Sequence, residues 1–216
     1  MKLHPADRSG WQTTAAPSFT HIQKYWLTRP EALTAGLRQI GQVRLQVVRE
    51  QADSLNPAEA WLLGLPPKSP IWMREIMMSI DGIDSVVARS FTLLGASHSW
   101  WQGMRRLSTR PLADMLYGNP QITRSGFFSR RLDSQQPFYA TIKRTFGRQA
   151  PPAEALLARC SVFWRSCRPL VVAECFLPDF WPLAAKLTYD PTIPSSHPSH
   201  ASQPKGPHDR DRVPPL

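Results

Sequence analysis

Three cysteines in 216 residues, Cys160, Cys167 and Cys175, are an odd number without a C-x-x-C pair, which argues against a disulfide framework and against a structural zinc site. We read them as buried free thiols acting as small core hydrophobes. No apolar run approaches the roughly 20 residues needed to cross a bilayer. Residues 1–10 contain no apolar stretch of signal-peptide length, so a cytoplasmic protein is expected. A glycine-rich phosphate loop, a G-x-S-x-G elbow and an H-E-x-x-H pair are all missing, which removes the usual marks of nucleotide binding, serine hydrolysis and zinc proteolysis. Negative charge is scarce as well: 16 Asp and Glu against 26 Lys and Arg leave a formal charge of +10. Such a chain attracts anions, whether nucleic acid, membrane phosphate or an acidic metabolite.

What is present suits one globular domain, with 42% hydrophobic and 19% charged residues. Many of the 22 prolines fall before residue 31, around residues 66–70 and after Asp190, where they mark irregular chain. We therefore expect a flexible N-terminal segment over 1–21, a single domain over 22–187 and a disordered Pro/Ser/His-rich tail over 188–216. The tail histidines His197, His200 and His208 have no fixed geometry or companion ligands at metal-site spacing, so we expect them solvated and no metal bound.

Helical spacing of Ile22, Tyr25, Trp26, Leu33, Leu37 and Ile40, interrupted by Pro30, predicts two short helices. Alternation over 43–50 predicts a strand, followed by a loop rich in Pro and Ala. Residues 71–92 read as a hairpin turning at Asp81-Gly82, a pair suited to positive φ angles. Helix character follows over 99–107 and 111–117, with a strand over 121–132. A stripe of Phe138, Tyr139, Ile142 and Phe146 suggests a further helix. A second hairpin joins 159–164 to 169–177 around Ser166-Cys167-Arg168. At least five strands in hairpin order with helices between them imply an antiparallel sheet and an α+β fold.

Two charges stand alone in strands that otherwise read as buried: Arg74 among Trp72, Met73, Ile76 and Met78, and Glu174 among Val171, Val172, Cys175 and Phe176. Taking either charge out of water costs several kcal/mol unless it is answered. Period-two counting puts Arg74 on the face of Ile76 and Met78, with Glu75 opposite, and groups Glu174 with Leu170, Val172 and Phe176. Two readings remain open: a structural ion pair between Arg74 and Glu174, or a small apolar pocket in which Arg74 grips a carboxylate and Glu174 meets a polar group at the far end. Arg89 and Arg124 also interrupt apolar stretches, where snorkelling at a sheet edge is an equal explanation. The doublets Arg105-Arg106, Arg130-Arg131 and Lys143-Arg144 suggest a solvated face; no nucleic-acid-binding signature accompanies them.

The ordered set Trp72-Met73-Arg74-Glu75-Ile76, Asp81-Gly82, Ala88-Arg89, Arg110-Pro111-Leu112, Ile122-Thr123-Arg124 and the run from Pro169 through Glu174 to Pro178 resembles the chorismate pyruvate-lyase (4-hydroxybenzoate synthase) family. The resemblance spans about Trp26 to Pro178. It implies a cytoplasmic enzyme that converts chorismate to 4-hydroxybenzoate and pyruvate for ubiquinone biosynthesis, without metal or organic cofactor, and a site enclosed by helical flaps on an antiparallel sheet. It further implies ligand contacts from Arg74, Leu112, Glu174 and an early-helix position that best matches Leu33. The chain departs from the family pattern at Cys160, where a second arginine is expected, at Cys167, where glycine is usual, and in a long insertion between Arg131 and Leu156.

On that resemblance Arg74 and Glu174 are the catalytic candidates, and Leu33, Arg74, Leu112 and Glu174 the substrate-binding ones. Arg74 would hold the ring carboxylate; Glu174 would either hydrogen-bond the ring hydroxyl or act as general acid toward the ether oxygen, the latter requiring a carboxyl pKa raised by burial. We expect a monomer with a small-molecule substrate and no nucleic-acid partner. Two alternatives stay open: a catalytically idle relative that only binds an aromatic acid, and a basic nucleic-acid-binding module.

Overall fold

A computed structural model describes residues 10–188. In chain order its helices and strands are α1 His21–Thr28, α2 Leu33–Ile40, β1 Val43–Ser54, α3 Pro57–Leu63, β2 Pro70–Ile80, β3 Ile83–Leu93, α4 Leu94–Ser97, α5 Ala113–Leu116, β4 Ile122–Arg124, β5 Phe128–Arg131, α6 Pro137–Phe146, β6 Leu157–Arg165, β7 Arg168–Phe176 and α7 Phe180–Thr188. The strands form one antiparallel sheet in the order β1-β2-β3-β7-β6-β4, with β5 also pairing β6, so the fold is α+β. No helix among the described residues is long and apolar enough to cross a membrane.

Two hairpins build the centre. Asp81 and Gly82 take φ of 49° and 84° at the β2–β3 turn, and Ser166 and Cys167 take 47° and 60° at the β6–β7 turn. Both turns have the left-handed geometry that matches strand twist, although the second uses residues with a Cβ where glycine would be unstrained. The hairpins join through β3 and β7, where Ala88 pairs Glu174 and Ser90 pairs Val172. This makes β3 and β7 interior strands with apolar residues on both faces.

One face carries Ile76, Met78, Val86 and Phe176 against Trp26, Leu37 and Phe180 of the helices. The other packs Met77, Val87, Ala173 and Cys175 against Phe138, Tyr139 and Ile142 of α6. That is the stripe read from the sequence, and it explains the insertion between Arg131 and Leu156 as a cover for this second face. A capping box between Thr20 and Gln23 starts α1, and the turn at Pro30 separates it from α2. Gly36 lets the two helices meet closely, since a Cβ there would lie 1.8 Å from Arg29 Nη1.

Several expectations need correction. The segment before residue 22 is part of the fold where it is described: Trp11 and Phe19 are buried, and Gln12 bridges to Ser129. The loop after β1 contains α3, whose Ala60 and Leu63 supply apolar contacts on one side. The strand expected over 121–132 is two short ones, both paired to β6 and interrupted at residues 125–127. Residues 99–107 form a 3-10 turn at Gln102–Arg106 rather than an α-helix. Cys160 and Cys175 are buried thiols, whereas Cys167 is exposed at its turn. Burial pushes both interior thiols well above the ordinary range. The disordered tail and its histidines lie outside the described residues.

Candidate active site

Alternation brings Arg74, Glu174 and a second arginine, Arg159, onto one face of the sheet. Arg74 on β2 pairs Ser90 on β3, which pairs Val172 on β7; one rung along, Ala88 on β3 pairs Glu174, which pairs Arg159 on β6. Above them lies a cavity of about 50 Å³, floored by Ile76, Ala88 and Val172 and roofed by Leu33 of α2 and Leu112 and Leu116 at α5. Arg74, Arg159 and Glu174 are among its lining residues, so all four sequence candidates, Leu33, Arg74, Leu112 and Glu174, surround one space.

The Arg74 side chain is 1% exposed, and its one carboxylate neighbour, Glu50, stands at ion-pair distance without accepting a hydrogen bond. Its Nη2 donates to the Ser108 carbonyl, and Nη1 and Nη2 each reach the Arg110 carbonyl at 3.4 Å, so the guanidinium holds the strap that leads into α5. Nε lies 3.6 Å from Glu50 Oε2 and has no hydrogen-bond acceptor. Burial lowers the guanidinium pKa, and the Glu50 charge offsets only part of that effect. Arginine remains protonated even so, which makes it a buried cation with unspent bonding capacity at one end of an apolar cavity.

At the other end, Glu174 Oε2 accepts from Arg159 Nε at 2.6 Å. Arg159 is itself 1% exposed and donates from Nη1 to the carbonyls of Trp26 at 2.9 Å and Arg29 at 3.2 Å. Of the two open readings, the Arg74–Glu174 ion pair is not formed: Arg74 is opposed by Glu50, and Glu174 by Arg159. Of these two partners, only Arg159 was legible in the sequence. Arg159 interrupts an apolar strand as plainly as Arg74 does, and a two-residue turn at Ser166-Cys167 forces it opposite Glu174, so drawing the hairpin register would have exposed it. Glu50 gave no comparable mark, because β1 has no continuous buried face.

Arg89 and Arg124 separate into different roles. Arg89 does not snorkel at an edge; it is buried on the far face of interior β3, with Nη1 2.6 Å from Glu75 Oε1 and Nε 2.8 Å from Glu59 Oε1. Arg124 Nη1 donates to the Pro30 carbonyl and to the hydroxyl of Tyr117, a residue of the cavity lining. Each basic doublet is also partly committed within the fold: Arg105 lies 3.7 Å over the Trp72 ring, Arg130 pairs Asp133 at 2.7 Å and Arg144 pairs Glu75 at 2.7 Å.

Comparison with known proteins identifies the family. The sequence profile of the family described as Chorismate lyase matches residues 6–186. A probable chorismate pyruvate-lyase of Bordetella avium (strain 197N) is 53% identical over 189 residues, covering 86% of this chain and 90% of that one. Its counterpart in Bordetella pertussis is 56% identical over 178 residues, covering 81% and 92%. Among solved structures, the ligand-binding domain of a putative GntR-family transcriptional regulator from Bordetella bronchiseptica aligns with a TM-score of 0.46 and 13% identity, over 64% of this chain and 86% of that one. A profile that spans nearly all described residues, and relatives more than half identical over most of both chains, show that this chain belongs to the chorismate lyase family.

Proposed function

We propose that the protein is a chorismate pyruvate-lyase, which cleaves chorismate to 4-hydroxybenzoate and pyruvate and so supplies an aromatic ring for ubiquinone biosynthesis in the cytoplasm. The observation that carries the reading is the family membership combined with a cavity whose polar groups stand at opposite ends, Arg74 at one and Glu174 with Arg159 at the other. A para-substituted ring likewise carries its carboxylate and its hydroxyl at opposite ends.

In this reading Arg74 binds the ring carboxylate. Its Nε–H has no acceptor, and its Nη groups are held by carbonyls that a carboxylate could displace or share. Glu174 accepts the hydrogen of the ring C4 hydroxyl. We prefer this role to general acid, since one carboxylate oxygen already receives an N–H from a buried cation. Leu33 and Leu112 close the apolar faces of the ring. The reaction breaks the C3–O bond and removes the C4 hydrogen, and aromatisation supplies the driving force; the protein's task is to hold the reactive conformer and steady the departing charge.

Incubation of the purified protein with chorismate, following both products, tests the proposal. Equimolar 4-hydroxybenzoate and pyruvate, abolished in Arg74→Ala, support it. Binding of 4-hydroxybenzoate without turnover would identify an idle relative instead, and absence of both would remove the lyase reading.

A further inference from the structure

We propose that Arg159 binds the enolpyruvyl carboxylate of chorismate and is thereby the residue that distinguishes substrate from product. The inference rests on the lyase reading above and adds a subsite to it. Three of the facts about Arg159 are unusual together. It is a fully buried arginine that lines the cavity, its Nε and Nη1 are fixed by Glu174, Trp26 and Arg29, and among the described residues its Nη2 has no hydrogen-bond partner. The Phe127 ring lies 4.2 Å from the guanidinium carbon, so the plane is held as well. A guanidinium clamped on two nitrogens with the third left over is a preorganised donor rather than a flexible counter-ion.

Chorismate explains what that donor is for. The ring carboxylate sits para to C4, and the enolpyruvyl ether is on C3, next to the C4 hydroxyl. With the ring carboxylate at Arg74 and the C4 hydroxyl at Glu174, the ether oxygen and its carboxylate fall beside Glu174. A carboxylate placed against Glu174 alone would be repelled. The cation within reach is the one already bonded to Glu174. Arg29, the next candidate, is taken by Glu31 at 3.2 Å and stacked on Trp26 at 5.0 Å, and it is not a wall of the cavity.

The same position serves the chemistry. As the C3–O bond breaks, its electron pair leaves on the enolpyruvate oxygen, the C4–H pair joins the ring π system, and the hydrogen ends on the methylene carbon that becomes the pyruvate methyl. Atoms and charge balance without an added reactant. Negative charge grows on the departing fragment, and a fixed guanidinium beside it stabilises that change more than it stabilises bound substrate. The product ring lacks this carboxylate, so Arg159 contributes little to holding it.

The test compares two ligands in the wild-type protein, Arg159→Gln and Arg159→Lys. For Arg159→Gln we expect kcat/KM for chorismate to fall at least a hundredfold while the Kd for 4-hydroxybenzoate rises less than tenfold, with Arg159→Lys recovering part of the loss. Parallel losses for both ligands would overturn the proposal, because they are what a residue that only positions Glu174 would give. Should Arg159→Gln fail to fold, Arg159→Lys carries the same comparison, and equal effects on substrate and product would again refute it. Failure of the wild-type protein to turn over chorismate would refute the lyase reading instead; direct chorismate binding by wild type and Arg159→Lys would then still decide whether Arg159 contacts the second carboxylate.

Discussion

Arg124 donates through Nη1 to the Tyr117 hydroxyl at 2.9 Å and, from the same nitrogen, to the Pro30 carbonyl at 2.8 Å. Tyr117 ends α5, and Pro30 lies in the turn between α1 and α2, so a single side chain on β4 ties together the two elements that roof the cavity. The Phe127 ring lies 4.4 Å from the Arg124 guanidinium carbon and 4.2 Å from that of Arg159, which links this fastening to the polar end of the site.

Removing the fastening is expected to speed product release. Each charge-assisted hydrogen bond contributes about 1.5–3 kcal/mol when shielded and less near solvent, so Arg124→Ala should raise the off-rate of 4-hydroxybenzoate by about tenfold. Slow release in the wild type would appear as a burst in the first turnover, and the variant should show a smaller burst with a faster steady state. A wild-type time course that is linear from the start at high enzyme concentration would refute release as the slow step.

Arg74→Ala removes a buried cation from the cavity wall and also frees the strap carrying Ser108 and Arg110. Loss of a charge-assisted contact of about 2–3 kcal/mol corresponds to a weakening of about 30- to 140-fold in 4-hydroxybenzoate affinity. Benzyl alcohol analogues, which lack the carboxylate, should bind wild type and variant alike. If the acid and its neutral analogue lost affinity equally, Arg74 would be a structural fastener and not a carboxylate site.

For Glu174→Gln, the two roles weighed above diverge. An amide oxygen still accepts the C4 hydroxyl, so as an acceptor site the variant should keep turnover within about a hundredfold of wild type, a general-acid contribution being about 10²–10⁴-fold. Glu174→Ala, which leaves Arg159 without its partner, should be worse. Complete loss in the glutamine variant together with unchanged 4-hydroxybenzoate binding would restore the proton-donor role.

The legible part of the fold was the part governed by period and turn chemistry. Asp81-Gly82 announced the first hairpin, and the stripe of Phe138, Tyr139 and Ile142 announced α6, because local sequence alone decides both. Glu50 and the partners of Arg89 were not legible, since the contacts arise from pairing across strands. A register shift between Met78 and Ser79 moves Arg74 opposite Ser90 and Glu75 opposite Arg89; without it the two arginines would have faced each other. The break between residues 107 and 111 was legible from Pro111, but its fastening was not: Arg74 holds that strap by the Ser108 and Arg110 carbonyls, a contact made across 34 and 36 residues of chain.

Glu75 provides the clearest stability prediction. Fully buried on the face opposite Arg74, its Oε1 accepts from Arg89 at 2.6 Å, Thr141 at 2.7 Å and Arg144 at 2.7 Å. Burial alone would push the carboxyl pKa up, but the hydrogen bonds from Thr141 and Arg144 and the charges of Arg89 and Arg144 outweigh it, and the group titrates below its ordinary range. A carboxyl whose pKa is lower folded than unfolded stabilises the fold above its unfolded value of about 4.3, and that stabilisation disappears as pH falls through the folded value. Glu75→Gln should therefore cost about 3 kcal/mol at pH 7, the scale for breaking a buried ion pair, somewhat softened because Arg89 retains Glu59. Urea unfolding of both proteins at pH 7 and at successively lower pH measures the gap. It should narrow as the carboxylate is protonated; a gap that stays constant down to pH 3 would mean that shape, not charge, is what Glu75 contributes between β2, β3 and α6.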